Sequence, residues 1–214
     1  MRYFTAYYRQ SDADSSVSVL LQQVYHKKRK MPVILACIST DEEQKCGSQV
    51  LHMLSDWFYG TGLSRCSRLG ERGMNMISDS LMCGLYDIMH AGTAIGACRW
   101  AGALCVGQSV LLFEKGEKQL SLLNTRKHRS YCQTLELPER AGLSVQSGTI
   151  QRGAGILLAT QGFNSCLSVQ KRQECLPVGE IRSQELSERR LKELGLYGES
   201  LNGKNLGAIL IVAR

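Results

Sequence analysis

What this sequence has little of narrows the field first. Only 3 of its 214 residues are proline, which leaves no room for a proline-rich linker or stalk. It contains no run of 18 apolar residues, so no stretch reads as a membrane-spanning helix. The opening Met1-Arg2-Tyr3-Phe4-Thr5 lacks the apolar core of a secretory signal and reads as the start of a strand. The 4 histidines, His26, His52, His90 and His128, stand apart from one another. None pairs with a cysteine at zinc-ligand spacing, and none supports a Ser-His-Asp or Cys-His nucleophile. Cys-x-x-Cys pairs are absent as well. The 9 cysteines fall singly at 37, 46, 66, 83, 98, 105, 132, 166 and 175, mostly among apolar neighbours. Scattered, odd in number and apolar in setting, they predict buried reduced thiols and a cytoplasmic compartment.

The length allows one large domain or two small ones, with a sizeable core. Hydrophobic residues make up 43% and charged residues 21%, ordinary for a globular chain. The net charge is +7, concentrated at Lys27-Lys28-Arg29-Lys30 and Arg126-Lys127-His128-Arg129. Each cluster follows an expected strand, so each is placed in a turn. A solvated turn and a patch for an anionic partner are both open readings. No aromatic residues interleave with the clusters, which disfavours single-stranded nucleic acid.

Periodicity places strands at Arg2–Tyr8 and Val17–Val24, and at Val33–Ile38, whose unbroken apolar run predicts burial on both faces. Val50, Leu51, Leu54, Trp57 and Phe58 lie on one face of a helix over Gly47–Phe58. Leu63–His90 is expected to be mostly helical, weakened or interrupted at Gly70, Gly73 and Gly84. Short strands follow at Thr93–Trp100, Ala103–Val106, Val110–Glu114, Gln119–Asn124, Leu143–Thr149 and Gly155–Ala159. Ser183–Leu194 reads as an amphipathic helix capped by Gly195, and Ala208–Ala213 as a closing strand. Strands, helices, a long meander, a helix and a strand predict one α+β domain spanning 1–214, with antiparallel sheets inside and helices outside.

Five segments in order carry a family pattern. Arg9-Gln10-Ser11-Asp12-Ala13-Asp14 has an arginine four and five residues before Ala13 and Asp14. Ile38-Ser39-Thr40-Asp41-Glu42-Glu43 ends a buried strand, with Gly47 opening a helix. Gly92-Thr93 precedes Val106-Gly107-Gln108-Ser109. Thr160-Gln161-Gly162 ends another apolar strand. Gly203-Lys204-Asn205 precedes the last one. Along essentially the whole chain, this order resembles the phosphatase-2C family of metal-dependent serine/threonine phosphatases in its compact bacterial form.

The resemblance implies an α/β/β/α sandwich of two antiparallel sheets flanked by helices. It also implies a two-metal site using manganese or magnesium, and here the acids that would hold it are replaced. Ala13 and Asp14 match the first acidic pair. Ser39 matches the bridging aspartate, and Thr40 the glycine whose carbonyl binds metal. Gln161 and Lys204 match two further aspartates. Arg9 matches the phosphate-binding arginine, and Lys204 adds a second cation for a phosphate or a partner for Asp14. Hard divalent cations need anionic oxygen ligands, which Ser, Gln and Lys do not supply. The shifted acids Asp41, Glu42 and Glu43 are expected to be surface charge.

The expectation is a pseudophosphatase with no catalytic residues and no metal or other cofactor, binding a protein partner such as a phosphoprotein or a kinase and no membrane. Two alternatives stay open: a divergent active phosphatase with a rebuilt manganese or magnesium site, and a basic binding module for nucleic acid or an acidic protein. Gly198 to Asn205 falls one residue short of a phosphate-binding P-loop, because Asn205 stands where a hydroxyl is needed and the flanking elements come in the wrong order.

Overall fold

A computed structural model describes residues 1–11, 16–27, 30–40, 46–92, 98–116, 120–126, 129–140 and 142–214. Two strands organise it. β3 (Met31–Thr40) is buried at every position but its last, and β11 (Gly207–Ala213) at all seven. Successive side chains of a strand point to opposite faces, so a strand apolar at every position needs cover on both. In β3, Ile34, Ala36 and Ile38 enter the layer between the sheets, while Val33, Leu35 and Cys37 face helices. In β11, Ile209, Ile211 and Ala213 meet the same inner layer, and Ala208, Leu210 and Val212 face the opposite helices.

Around β3 lies a sheet in the order β2-β3-β4-β5-β9-β8, and around β11 one in the order β1-β11-β10-β6-β7. The first uses β2 (Val17–His26), β4 (Arg99–Val106), β5 (Ser109–Lys115), β8 (Glu139–Arg140) and β9 (Leu143–Thr149). The second uses β1 (Tyr3–Arg9), β6 (Leu120–Arg126), β7 (Arg129–Thr134) and β10 (Gly155–Ala159). Every pairing is antiparallel. Helices α1 (Gly47–Trp57), α2 (Leu63–Leu69) and α3 (Met74–His90) cover the first sheet, with Val50, Leu54, Ile77, Leu81 and Leu85 turned inward. Helices α4 (Gln161–Cys166), α5 (Val169–Cys175) and α6 (Gln184–Ser200) cover the second through Phe163, Leu191 and Leu194. The result is the expected α/β/β/α sandwich. Among the described residues no helix is long and apolar enough to cross a membrane. None of the nine cysteines is in a disulfide and six are buried; burial pushes the Cys66 and Cys105 thiols up to about 12.

Several expectations need correcting. The two strands expected at Thr93–Trp100 and Ala103–Val106 are one strand, β4, and positions 93–97 lie outside the described residues. Gly102 does not break it, because the Phe113 ring of the paired strand packs over it: a Cβ there would stand 2.2 Å from that ring. The helical stretch after Leu63 does break at Gly70, which turns at φ +61, and a 3-10 turn over Gly70–Gly73 joins α2 to α3. Gly84 does not interrupt α3; it lies against the Trp57 indole. Gly195 is no cap. α6 runs through it to Ser200, and the glycine is there because the Tyr8 ring presses on it. Helices α4 and α5 and strands β7 and β8 were not foreseen, being too short for a periodic signal. Their caps were in plain sight: Thr160 accepts from the Phe163 N–H at 3.3 Å and Ser168 from the Lys171 N–H at 3.1 Å. Lys27 and Lys30 lie in the β2–β3 turn, as expected; Arg126 and Arg129 are instead the paired last and first residues of β6 and β7, and Lys28, Arg29, Lys127 and His128 lie outside the described residues.

Thr160 also ties strand to strand. Its hydroxyl donates to the Asn205 carbonyl at 2.7 Å and accepts the Gly207 N–H at 3.1 Å, all fully buried at the Thr160 side. Two substitutions test these contacts. Thr160→Val removes a helix cap, worth about 1 kcal/mol, and leaves buried backbone groups unpaired, so urea unfolding is expected to lose about 2–4 kcal/mol in all. For Gly195→Ala, helix propensity predicts a gain of up to about 1 kcal/mol, but a Cβ would stand 2.4 Å from the Tyr8 ring. Overpacking there costs about 1–3 kcal/mol, so the variant is expected to melt below the parent. Gly60→Ala, with open space around its Cβ, is the control. A Gly195→Ala melt at or above the parent's refutes the packing assignment.

Candidate functional site

Strand register decides which chain ends meet. Arg9 at the end of β1 pairs with Gly207 at the start of β11, and Ala208 pairs with Ala159 at the end of β10. In the other sheet Thr40 ends β3 between Val17 of β2 and Arg99 of β4. The two sheets touch at this end. A Cβ at Gly207 would lie 2.4 Å from Val17 and 3.0 Å from Ile38, and the Asn205 side-chain oxygen accepts the Ser16 N–H at 3.1 Å. The structure therefore gathers Arg9, Ser39, Thr40, Gln161 and Lys204 at one end of the sandwich. Ala13, Asp14, Asp41, Glu42 and Glu43 lie outside the described residues, so the pairing of Lys204 with Asp14 does too. The Gly107-Gln108 segment is elsewhere: it turns between β4 and β5 at the opposite end, beside the start of β3.

The gathered groups have distinct surroundings. Ser39 is fully buried, with its hydroxyl aimed at the start of α1, where a Gly47 Cβ would stand 2.4 Å away. Neither that hydroxyl nor the buried Ser16 hydroxyl has a hydrogen-bond partner among the described residues. Gln161, the first residue of α4, accepts a hydrogen bond on its side-chain oxygen from the Arg99 guanidinium at 2.7 Å. This bond spans the two sheets, since α4 follows β10 and Arg99 opens β4. The Arg99 stem lies against Gly116, and the neighbouring Lys115 ammonium donates to the Cys98 carbonyl at 3.2 Å. Burial pushes Lys115 below the usual lysine range.

Arg9 and Lys204 are exposed, and among the described residues neither forms an ion pair. The Lys204 loop is held from below. Gln10 donates to the Gly203 carbonyl at 3.1 Å and accepts the Leu206 N–H at 3.1 Å, while Asn205 sits at φ +54. Gly162 is required here, because a Cβ would fall 2.0 Å from the Lys204 carbonyl oxygen. Beside this loop opens a polar cleft of about 410 Å³ lined by Gln10, Glu199, Asn202 and Lys204. The Tyr8 hydroxyl donates to the Glu199 carboxylate at its edge, and burial together with that carboxylate raises the Tyr8 phenol.

Among the described residues, this end offers hydroxyls, an amide already engaged by a cation, the Glu199 carboxylate bonded to Tyr8, and the cations of Arg9, Arg99 and Lys204. Among the described residues no three His, Cys, Asp or Glu side chains are grouped to hold a metal ion. The described members of this set suit an anion more than a hard divalent cation. The sequence reading missed Arg99, although one signal was available: it is the lone charge in the otherwise apolar stretch from Arg99 to Val106.

No family model and no curated protein matches this sequence. Solved structures do. A serine/threonine phosphatase from S. agalactiae superposes with a TM-score of 0.68 at 9% identity, covering 100% of both chains. The serine/threonine phosphatase PstP/Ppp of Mycobacterium tuberculosis gives 0.62 at 14% identity, covering 100% of this chain and 98% of that one. The catalytic domain of PstP in complex with two manganese ions gives 0.62 at 13%, covering 99% and 97%. From end to end, this chain has the fold of the bacterial phosphatase-2C type serine/threonine phosphatases.

Proposed function

We propose that the chain is a phosphatase-2C-like pseudophosphatase, a regulatory module that binds a phosphorylated protein at the strand-end site without metal-dependent hydrolysis. The observation that carries this reading is the 2.7 Å hydrogen bond from Arg99 to Gln161. In the related enzymes, the resemblance puts a metal-binding carboxylate at position 161. Here a neutral amide stands there, and its one acceptor oxygen is directed at a guanidinium. A fixed unit charge about 5 Å from a divalent cation opposes it by about 7 kcal/mol at an effective dielectric of about 20. Lys204 adds a second cation to the same end. Charge of this sign suits a phosphoryl group, which guanidinium and ammonium groups bind through charge-assisted hydrogen bonds.

The residues do this in stages. Gln10 and Thr160 hold the 203–206 loop and so position Lys204. β1 delivers Arg9 to the same rim. Arg99, drawn inward by Gln161, contributes field more than direct contact. Charge-assisted contacts contribute about 1.5–3 kcal/mol each, so two free cations support millimolar to high-micromolar binding of a small anion. Tighter binding then depends on the protein that carries the phosphoryl group.

Inorganic phosphate is expected to move the amide signals of Arg9 and Gly203 in an NMR titration, and Arg9→Ala to abolish the response. Signals that stay still up to about 50 mM phosphate rule the anion site out. Calorimetry with manganese is expected to show no low-micromolar site. Chelator-sensitive hydrolysis of a chromogenic phosphate ester by the parent chain establishes the active-phosphatase reading instead.

Restoring the acids is a stricter test. Ala13→Glu, Ser39→Asp, Thr40→Gly, Gln161→Asp and Lys204→Asp are expected to fall short together, because Arg99 would pair with the carboxylate introduced at 161. Adding Arg99→Ala is expected to raise manganese affinity and to lower the melting temperature in chelator, since clustered carboxylates repel when unmetallated. Equal melts of that sixfold variant in chelator and in manganese show that these positions do not form one site.

A further inference from the structure

The opposite end of the sandwich holds a cleft of about 450 Å³. β3 starts here at Met31 and ends at Thr40, so at about 3.3 Å per residue the two ends lie about 30 Å apart. The cleft is independent of the strand-end site.

Its floor is a braced turn. Gly107 turns at φ +62 between β4 and β5, its N–H donating to the Pro32 carbonyl at 3.0 Å. Its carbonyl accepts the buried Tyr3 hydroxyl at 2.6 Å. From the 3-10 turn after α2, the Glu71 carboxylate accepts the Gln108 N–H at 2.5 Å. Any side chain at 107 would block that approach, because a Cβ would sit 1.9 Å from the carboxylate oxygen. Glu71 is thus directed at the wall, and a backbone donor takes up part of its charge.

Two exposed cations stand above this floor, Lys30 from the β2–β3 turn and Arg72 beside Glu71, and among the described residues neither forms an ion pair. Lys30 is not free to swing with its backbone. It sits at φ +49 with its N–H on the Lys27 carbonyl at 3.3 Å. Its apolar wall is built by Met1 and Leu69, both half-buried, over the buried Met31 and Pro32. The volume falls in the range of small-molecule sites, in which an apolar wall and a few placed charges divide the ligand between them. Inorganic phosphate would satisfy the cations and leave most of the space and the whole apolar wall unused.

We propose that this cleft binds a small organic phosphate of mononucleotide size, its phosphoryl group between Lys30 and Arg72 and its body against Met1 and Leu69. The phosphoryl oxygens accept from the guanidinium and the ammonium, the pairing for which a planar fork and a mobile point charge are suited. The site is separate from any chemistry at Arg9 and Lys204.

Adenosine monophosphate serves as the probe, titrated into the full isotope-labelled chain, with adenosine and inorganic phosphate as separate arms. The expected result is saturable movement of the Gly107, Gln108 and Arg72 amide signals by the nucleotide. Lys30→Ala/Arg72→Ala is expected to weaken that response at least tenfold, about the loss of one charge-assisted hydrogen bond, and Arg9→Ala to leave it unchanged. Both cleft residues are exposed, so the double variant is expected to melt with the parent; if it does not, the single variants Lys30→Gln and Arg72→Gln carry the comparison. Silent signals up to about 10 mM nucleotide, or a cleft variant that titrates like the parent, overturn the proposal. Adenosine acting as strongly as the nucleotide removes the role of the cations. Inorganic phosphate acting as strongly removes the role of the apolar wall.

Discussion

Cover on both faces of β3 and β11 is the requirement from which the rest of the architecture follows. Each fully buried Leu, Ile or Val contributes about 1.5–3 kcal/mol, and Ile209, Leu210, Ile211 and Val212 are all completely buried in one strand. Such strands need a sheet on one side and helices on the other, which makes four layers. They also leave no place for polar chemistry along their length. Charge and hydrogen-bonding side chains are driven to the strand ends, where the loops are. The end that holds Arg9 and Lys204 and the cleft beside Lys30 and Arg72 both lie at strand ends for that reason.

The end that gathers Arg9, Ser39, Thr40, Gln161 and Lys204 is built from bonds that serve the backbone. Thr160, Gln10 and Asn205 satisfy loop carbonyls and amides, and Gly162 and Gly207 admit close approach. None of these contacts needs a metal. The fold's turn residues therefore persist where the acids expected from the resemblance are replaced. Among the described residues, the Ser16 and Ser39 hydroxyls and the Trp100 indole N–H at this end have no hydrogen-bond partner.

Glycine was the residue most often misread from sequence. Gly102, Gly84 and Gly195 look like breaks in their elements, and each lies inside an unbroken one because an aromatic ring from a distant part of the chain occupies the space a Cβ would take. Gly70, which does end a helix, differs in its backbone, at φ +61. The two kinds are alike in sequence, since the ring that distinguishes them comes from elsewhere: Phe113, Trp57 and Tyr8.

The sequence by itself determined the α+β class and several of its elements, while the order of the layers came from the resemblance. Apolar periodicity is a local property, so β3, β9, β10, α1 and the class of fold were legible from runs of side chains. The same holds for the positions at which the resemblance expects acids, because a substituted residue is visible wherever the chain places it. Only the tertiary structure decided which groups face one another. Arg99 and Gln161 are 62 residues apart, one opening a strand of the first sheet and the other a helix that covers the second, and no local pattern records that the guanidinium donates to the amide oxygen. Nor does any local pattern bring the Lys30 turn, the Gly107 turn and Arg72 around one cleft. Contacts of that kind depend on strand register and on how one sheet lies on the other, and both follow from burying the whole core at once.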